Sequence, residues 1–217
     1  MNIAILGTGN VGTGLVKVFL KTKHNILLGS RDNDNAITLA SDLSKEAPPK
    51  GGSVKGVTVK EALANASVVF LAVPYDAIVE LINQSGIDIS GKTLIDVSNP
   101  LTADFMALTL GYQTSAAEEL QKALPNAAIV KAFNTVFAQI LHEGPKFANQ
   151  QVPVYVASDH EGAKADVIAL IDESGFEGVD AGITKNARYL EPMAAMNIQF
   201  GYVLGKGTQV TPAWIAR

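Results

Sequence analysis

Two short segments hold the residues whose types and spacing could do chemistry. Gly7-Thr8-Gly9-Asn10-Val11-Gly12 spaces three glycines as G-x-G-x-x-G, directly behind the apolar run Ile3-Ala4-Ile5-Leu6. Where a strand runs into a helix, each glycine of this pattern has its own task. Gly7 permits the tight turn, Gly9 keeps a Cβ out of the way of a pyrophosphate, and Gly12 lets helix and strand pack closely. The helix expected from Asn10 to about Leu20 turns free N–H groups and the positive end of its dipole toward the phosphates. The second segment, Gly29-Ser30-Arg31, falls where the next strand should end. An NAD site usually carries an acidic residue there for the ribose 2′-hydroxyl, whereas a hydroxyl and a guanidinium suit a 2′-phosphate. Together the two segments point to NADP(H) and make redox chemistry the leading expectation.

The elements needed to position them follow a βαβ alternation. Strands are expected at Asn25–Leu28, Val57–Val59, Ser67–Val73, Thr93–Val97 and Ala128–Ala132. Helices are expected at Asn33–Glu46, Lys60–Asn65, Tyr75–Gln84 and Ala116–Ala123, with 47–56 a Pro- and Gly-rich loop. Beyond Asn134 come a helix near Phe137–His142, a strand at Val152–Ala157, a helix at Glu161–Glu173, a strand at Gly178–Asp180 and a long apolar helix over Ala187–Leu204. The fold class is α/β: a Rossmann-type, doubly wound, mostly parallel sheet over 1–134, with a small α/β part over 135–217 fused to it rather than tethered. Only 83 residues follow Asn134. Rossmann dehydrogenases acting on hydroxy or imino acids often add a helical domain of roughly 100 residues or more to enclose the substrate. A shallow cleft on the Rossmann unit is therefore expected here, better suited to a flat ring such as a flavin than to a small acid.

Composition narrows the field. The chain of 217 residues is 47% hydrophobic, carries a net charge of −4 and contains no cysteine. Basic residues form no run, which argues against nucleic acid or anionic membrane as partners. Thiolate nucleophiles, disulfides and Cys-ligated metals are excluded. No apolar stretch reaches the ~18 residues that span a bilayer, and Met1 leads directly into a strand, so a cytoplasmic protein is expected. His24, His142 and His160 show no metal-ligand spacing. Glu118 and Glu119 open a helix, where acidic residues favour the dipole, and read as a solvated face. Met193, Met196 and Phe200, at i, i+3 and i+7, read as core or as a subunit contact.

Several segments resemble the NADPH-dependent reductases of coenzyme F420, the F420H2:NADP oxidoreductase family. They are Ile5–Gly12, Leu28–Arg31, Leu71-Ala72-Val73-Pro74-Tyr75, Asp96-Val97-Ser98-Asn99-Pro100-Leu101 and Val130-Lys131-Ala132-Phe133-Asn134-Thr135. The cytosolic reductase domain of the six-transmembrane ferric reductases is similar. The resemblance implies hydride transfer between NADPH and a flavin (FMN or FAD) or a deazaflavin (coenzyme F420), with the protein holding two rings face to face. It places Thr8, Ser30 and Arg31 at the 2′-phosphate, Val73 and Pro74 beside the adenosine and its ribose, and Ala132 to Thr135, Asn134 included, at the nicotinamide. This chain departs from some members by having Asp32-Asn33-Asp34-Asn35 where they have a lysine, and Asn134 where they have a histidine. Asp32 and Asp34 weaken NADP preference unless they point away from the phosphate.

No catalytic acid–base residue is expected, since hydride passes directly between rings. A reductase of a small carbonyl or imine is the alternative. It needs a proton donor over the nicotinamide, for which Tyr75 and Lys131 are the candidates. A non-enzymatic NADP(H)-binding redox sensor is the other. The surplus apolar surface of 187–204 leads to the expectation of a homodimer.

Overall fold

The computed structural model describes residues 1–147 and 150–214. Through Lys131, strand and helix alternate without interruption: β1 (Asn2–Leu6), α1 (Asn10–Leu20), β2 (Asn25–Ser30), α2 (Asn33–Ser44), β3 (Ser53–Thr58), α3 (Val59–Asn65), β4 (Val68–Leu71), α4 (Tyr75–Ser85), β5 (Thr93–Asp96), α5 (Ala116–Ala123) and β6 (Ala128–Lys131). The six strands pair in the order β3-β2-β1-β4-β5-β6, and every pairing is parallel. Their side chains are apolar on both faces because helices cover both. The strand order reverses between β1 and β4, the place where open α/β sheets bind ligands.

Register makes that placement concrete. Gly29, Leu6, Leu71, Asp96 and Lys131 stand opposite one another, neighbour to neighbour, across five strands. Every segment expected to bind cofactor therefore leaves the sheet at one level, along one edge.

β3 begins earlier than the glycines around it suggest. Gly56 lies inside the strand because α2 crosses it closely: a Cβ there would stand 2.3 Å from the carbonyl oxygen of Ala36. The glycine serves helix–sheet approach, not a loop. Gly14 does the same between helices, since its Cβ would come 2.8 Å from Leu141 Cβ.

After β6 come α6 (Ala138–Glu143), a two-residue antiparallel pair β7 (Lys146–Phe147) and β8 (Gln150–Gln151), β9 (Pro153–Val156), α7 (Glu161–Glu173), β10 (Glu177–Asp180) and α8 (Ala187–Ile198). β9 and β10 are parallel to each other. The main sheet meets them through one antiparallel bridge, Lys131 N–H to Ala157 O at 2.9 Å and Ala157 N–H to Lys131 O at 3.0 Å. Val152, Val154, Val156, Leu170, Ile171 and Phe176 share one hydrophobic cluster with Ile3, Ile5 and Phe19. Four rings knit it together: Phe19 on Phe70 at 5.0 Å and Phe133 on Phe176 at 5.8 Å, with Phe133 edge-on to Phe19 and Phe70. Such pairs contribute roughly 0.5–1.5 kcal/mol each beyond their area.

The last helix is shorter than its apolar residues suggest. α-Helical bonding stops at Ile198, and Gln199–Val203 continues as a π-helical turn. Gly205 and Gly207 then take φ of +67° and +75° and send the chain back along α8.

Candidate functional site

The three glycines differ in why they are glycine. Gly7 has φ +123°, and a Cβ there would lie 2.1 Å from the carbonyl oxygen of Ala72. Gly12 faces the same constraint, its Cβ falling 2.0 Å from Gly7 O. Gly9 is unlike both. It has extended backbone (φ −77°) at the N-cap of α1, and a Cβ on it would meet no protein atom within 4 Å. Nothing in the protein's own packing requires glycine there. The space in front of it adjoins a helix start with no side-chain cap and no acidic residue in its first turn. Free N–H groups, the dipole and open room fit a pyrophosphate. Thr13 anchors the turn by donating to Gly9 O (2.9 Å). Asn10 is exposed and Val11 half-buried, and His142 Nε2 sits 3.0 Å from Asn10 O.

At the end of β2, Ser30 is half-buried and Arg31 is exposed. Arg31 makes no ion pair among the described residues. Of the acidic residues that follow, Asp34 lies exposed in the first turn of α2. Asp32 is the N-cap of α2, and its carboxylate accepts from Asn35 N–H (3.0 Å). Asn35 Nδ2 donates to Thr8 Oγ1 (3.1 Å) and so ties this loop to the glycine turn. The sequence did not mark Asn35 as a site residue.

Along the same edge, Val73 is half-buried and Pro74, the N-cap of α4, is exposed. The end of β6 departs from expectation. Ala132 is fully buried, so it offers a possible ligand no side chain. Phe133 takes φ +61°, a left-handed backbone held by the aromatic cluster. Asn134 is expected at the nicotinamide, as a residue free to meet it. Instead its Nδ2 donates to Asn99 Oδ1 (3.0 Å) and Leu190 O (3.0 Å). Its Oδ1 and the hydroxyl of Thr135 are buried without a partner among the described residues. Asn99 returns the contact by donating to Asn134 O (2.9 Å).

Beneath this pair Lys131, expected only as a candidate proton donor, is the centre of a charged group. Lys131, with no exposed surface, pairs with Asp96 and Glu191 at 2.8 Å each and donates to Ser98 O at 2.7 Å. The two carboxylates keep the lysine charged despite its burial, raising its pKa. Glu191 reaches across from α8 and accepts from Ala116 N–H at the start of α5 (3.0 Å). Burial raises its pKa, with Lys131 opposing.

Met193 is half-buried against the small cluster of Tyr155, Ala157 and Leu190, whereas Met196 and Phe200 are exposed rather than core. With Val210 and Pro212 they wall a mainly apolar cavity of about 400 Å³ between α8 and the returning tail. Asn197 lines the cavity and donates to Thr135 O (3.1 Å). Through Asn197 the cavity is linked to the segment that follows β6, but the C-terminal part builds it, not the Rossmann strands. Glu118 is not a solvated face either: Arg188 of α8 grips it with two bonds of 2.7 and 2.8 Å.

Residues 2–100 match the family model of coenzyme F420-dependent NADP oxidoreductases. The F420-dependent NADP reductase of Methanothermobacter marburgensis is 31% identical over 209 residues, covering 91% of each chain. The chain belongs to the F420-dependent NADP oxidoreductase family. It is also 30% identical over 193 residues to Metalloreductase STEAP3 of Rattus norvegicus, of which it spans 35%. A crystal structure of a candidate F420-dependent NADP-reductase from Arthrobacter sp. FB24 superposes over the whole of both chains with a TM-score of 0.84 at 27% identity. A reductive aminase from Aspergillus terreus shares the fold at 16% identity, with a TM-score of 0.66 over 94% of this chain and 62% of its own.

Of the two candidate proton donors, Lys131 is sealed and Tyr75 is not. Lys131 has all three N–H groups engaged and no surface. Tyr75 is half-buried, and burial, then Glu119, Asp96 and Glu191, raise its pKa, so it is a protonated phenol and a weaker acid than an ordinary tyrosine. Among the described residues no cluster of His, Cys, Asp and Glu is placed to hold a metal, and no helix is long and apolar enough to cross a membrane.

Proposed function

We propose that the chain transfers a hydride between NADPH and a flavin or deazaflavin of the coenzyme F420 type. The observation that carries this reading is the edge at β5 and β6. Its one lysine is sealed in an ion-pair network, its nearest phenol, Tyr75, is a weakened acid, and Asn197 links the segment after β6 to a largely apolar cavity. The curated relatives named as F420-dependent NADP reductases support the same acceptor class.

The reading gives each of these residues a role. The N–H groups at the start of α1, with Gly9 leaving room, bind the pyrophosphate. Thr8, Ser30 and Arg31 bind the 2′-phosphate, with Asn35 holding Thr8 in place. Val73 and Pro74 border the adenosine and its ribose. The backbone of 132–135 walls the nicotinamide, and the unpaired Asn134 Oδ1 is an acceptor suited to a carboxamide N–H. NADPH supplies two electrons as hydride to the acceptor ring, and solvent supplies the accompanying proton. No protein group has to titrate, so orientation sets the rate. The exposed apolar residues of the last helix, Met196, Phe200 and Tyr202 among them, support a homodimer, and the chemistry fits a cytoplasmic protein.

The test is NADPH oxidation with riboflavin, FMN, FAD and a deazaflavin, beside a panel of ketones and imines. Turnover confined to the flavin and deazaflavin arm supports the reading. Turnover confined to the carbonyl or imine arm rejects it, and tight NADPH binding with no turnover anywhere favours a sensor.

A further inference from the structure

The charged group at the ends of β5 and β6 touches no phosphate position, yet its lysine and both carboxylates are almost completely buried. Stability gives little reason for it. Burying such ions costs several kcal/mol each, and well-packed apolar side chains often serve as well or better. Its bonds lead somewhere specific. Asp96 Oδ1 accepts from the backbone N–H (2.9 Å) and hydroxyl (2.6 Å) of Ser98, while Lys131 holds Ser98 O. The next residue, Asn99, interlocks with Asn134 through two bonds. Asn134 also reaches Leu190 O, and Leu190 precedes Glu191, the second carboxylate on Lys131. The path closes on itself and joins β5, β6 and α8. Phe133, left-handed at φ +61°, sits inside this loop. Such a backbone costs about 1–3 kcal/mol and persists only where its surroundings fix it.

We propose that Lys131 is a positioning residue for hydride transfer. Acting through Ser98, it holds the Asn99–Asn134 pair, and with it the wall beside the nicotinamide, in a single register. The idea rests on the nicotinamide lying at the ends of β5 and β6. Lys131 itself touches no ligand and moves no proton.

Lys131→Met removes the cation, and Lys131→Met with Glu191→Gln removes one stranded carboxylate charge as well. Asn99→Ala cuts the path downstream and leaves the ion pairs in place. On the full chain, three quantities are read: the NADPH dissociation constant, the emission spectrum of bound NADPH, and kcat with a deazaflavin or flavin. The dissociation constant should stay within about twofold, because the phosphate contacts lie on distant loops. The emission of bound NADPH should change, and kcat should fall about 100-fold, the scale of a ~1 Å misplacement. Combining Lys131→Met with Asn99→Ala should be no worse than the worse single variant, since both break one path. A folded Lys131 variant with the parent's emission and kcat overturns the proposal, as do losses that multiply. Should Lys131→Met fail to fold, Lys131→Arg carries the test with the same readouts. It keeps the charge but cannot set three donors on the same three acceptors. If the parent reduces no flavin or deazaflavin, the proposed reaction falls. The emission spectra still decide on Lys131, an unchanged spectrum in a folded variant rejecting it.

Discussion

Replacing Arg31 with alanine should convert a selective cofactor site into an indifferent one. Arg31 stands at the end of β2, exposed and free of any ion pair among the described residues, so it need break no contact to meet a 2′-phosphate. A charge-assisted bond of this kind contributes about 1.5–3 kcal/mol. The exposure of Arg31 argues for the lower end, because solvent screens the pair. About 1.4 kcal/mol is a decade in affinity, so the parent should bind NADPH at least ~10-fold tighter than NADH. Arg31→Ala should remove most of that margin while leaving NADH binding intact, since NADH offers the guanidinium no phosphate at that position. Fluorescence titration of both cofactors against both proteins reads all four constants. The carboxylates beside Arg31 sharpen the test: Asp32 is turned onto Asn35 N–H as a helix cap, so its repulsion of the phosphate should be small. Equal constants for NADPH and NADH in the parent would refute the reasoning, and so would an Arg31→Ala protein that keeps the full margin.

Three further outcomes are expected. Gly9→Val should fold with the parent's melting temperature, since its Cβ meets nothing, yet lose NADPH binding; undiminished affinity would show that the space before α1 is not the pyrophosphate site. Arg188 holds the Glu118 carboxyl below its usual range, so the pair stabilises the fold above the unfolded carboxylate pKa, near 4.3, and that share is lost as pH falls through the lowered value. Melting temperatures of parent and Arg188→Ala should therefore differ at pH 7 and converge at the most acidic pH the fold withstands, and a constant difference would contradict this. Light scattering at micromolar concentration should give a dimer mass that falls to the monomer in Phe200→Asp, whereas an active monomeric parent would remove the dimer from the account.

The parts of this molecule that were legible in its sequence are those governed by local patterns. Helices α5 and α7 start and stop where the sequence places them. Ser115 caps α5 with its own side chain, and α7 is a 13-residue run bounded by Ser158-Asp159-His160 and Gly175. The glycine turn is likewise a local device. What stayed hidden depends on distant partners. Gly56 looks like a loop residue until α2 is seen to lie against it. Asn134 looks like a free amide until Asn99 and Leu190 claim it. Glu118 looks solvated until α8 brings Arg188 alongside. A clue to the buried network was nevertheless present: Asp96 and Lys131 each end a short apolar strand, and opposite charges at the ends of two fully buried strands have few partners but each other. Glu191 gave no such clue, because only the crossing of α8 over β6 brings it near.

The central claim is direct hydride passage between two rings, and isotope transfer tests it most directly. NADPH deuterated at C4, at whichever face the enzyme uses, is mixed with the protein and a deazaflavin in ordinary water. The carbon that receives hydride in a deazaflavin does not exchange its hydrogen with solvent, so the label reports its own route. The account predicts that the reduced deazaflavin carries the deuterium, at a rate nearly flat across neutral pH because no protein acid takes part. Reduced deazaflavin without label would contradict it. So would label arriving only in a reduced carbonyl or imine, with a bell-shaped rate profile near pH 7.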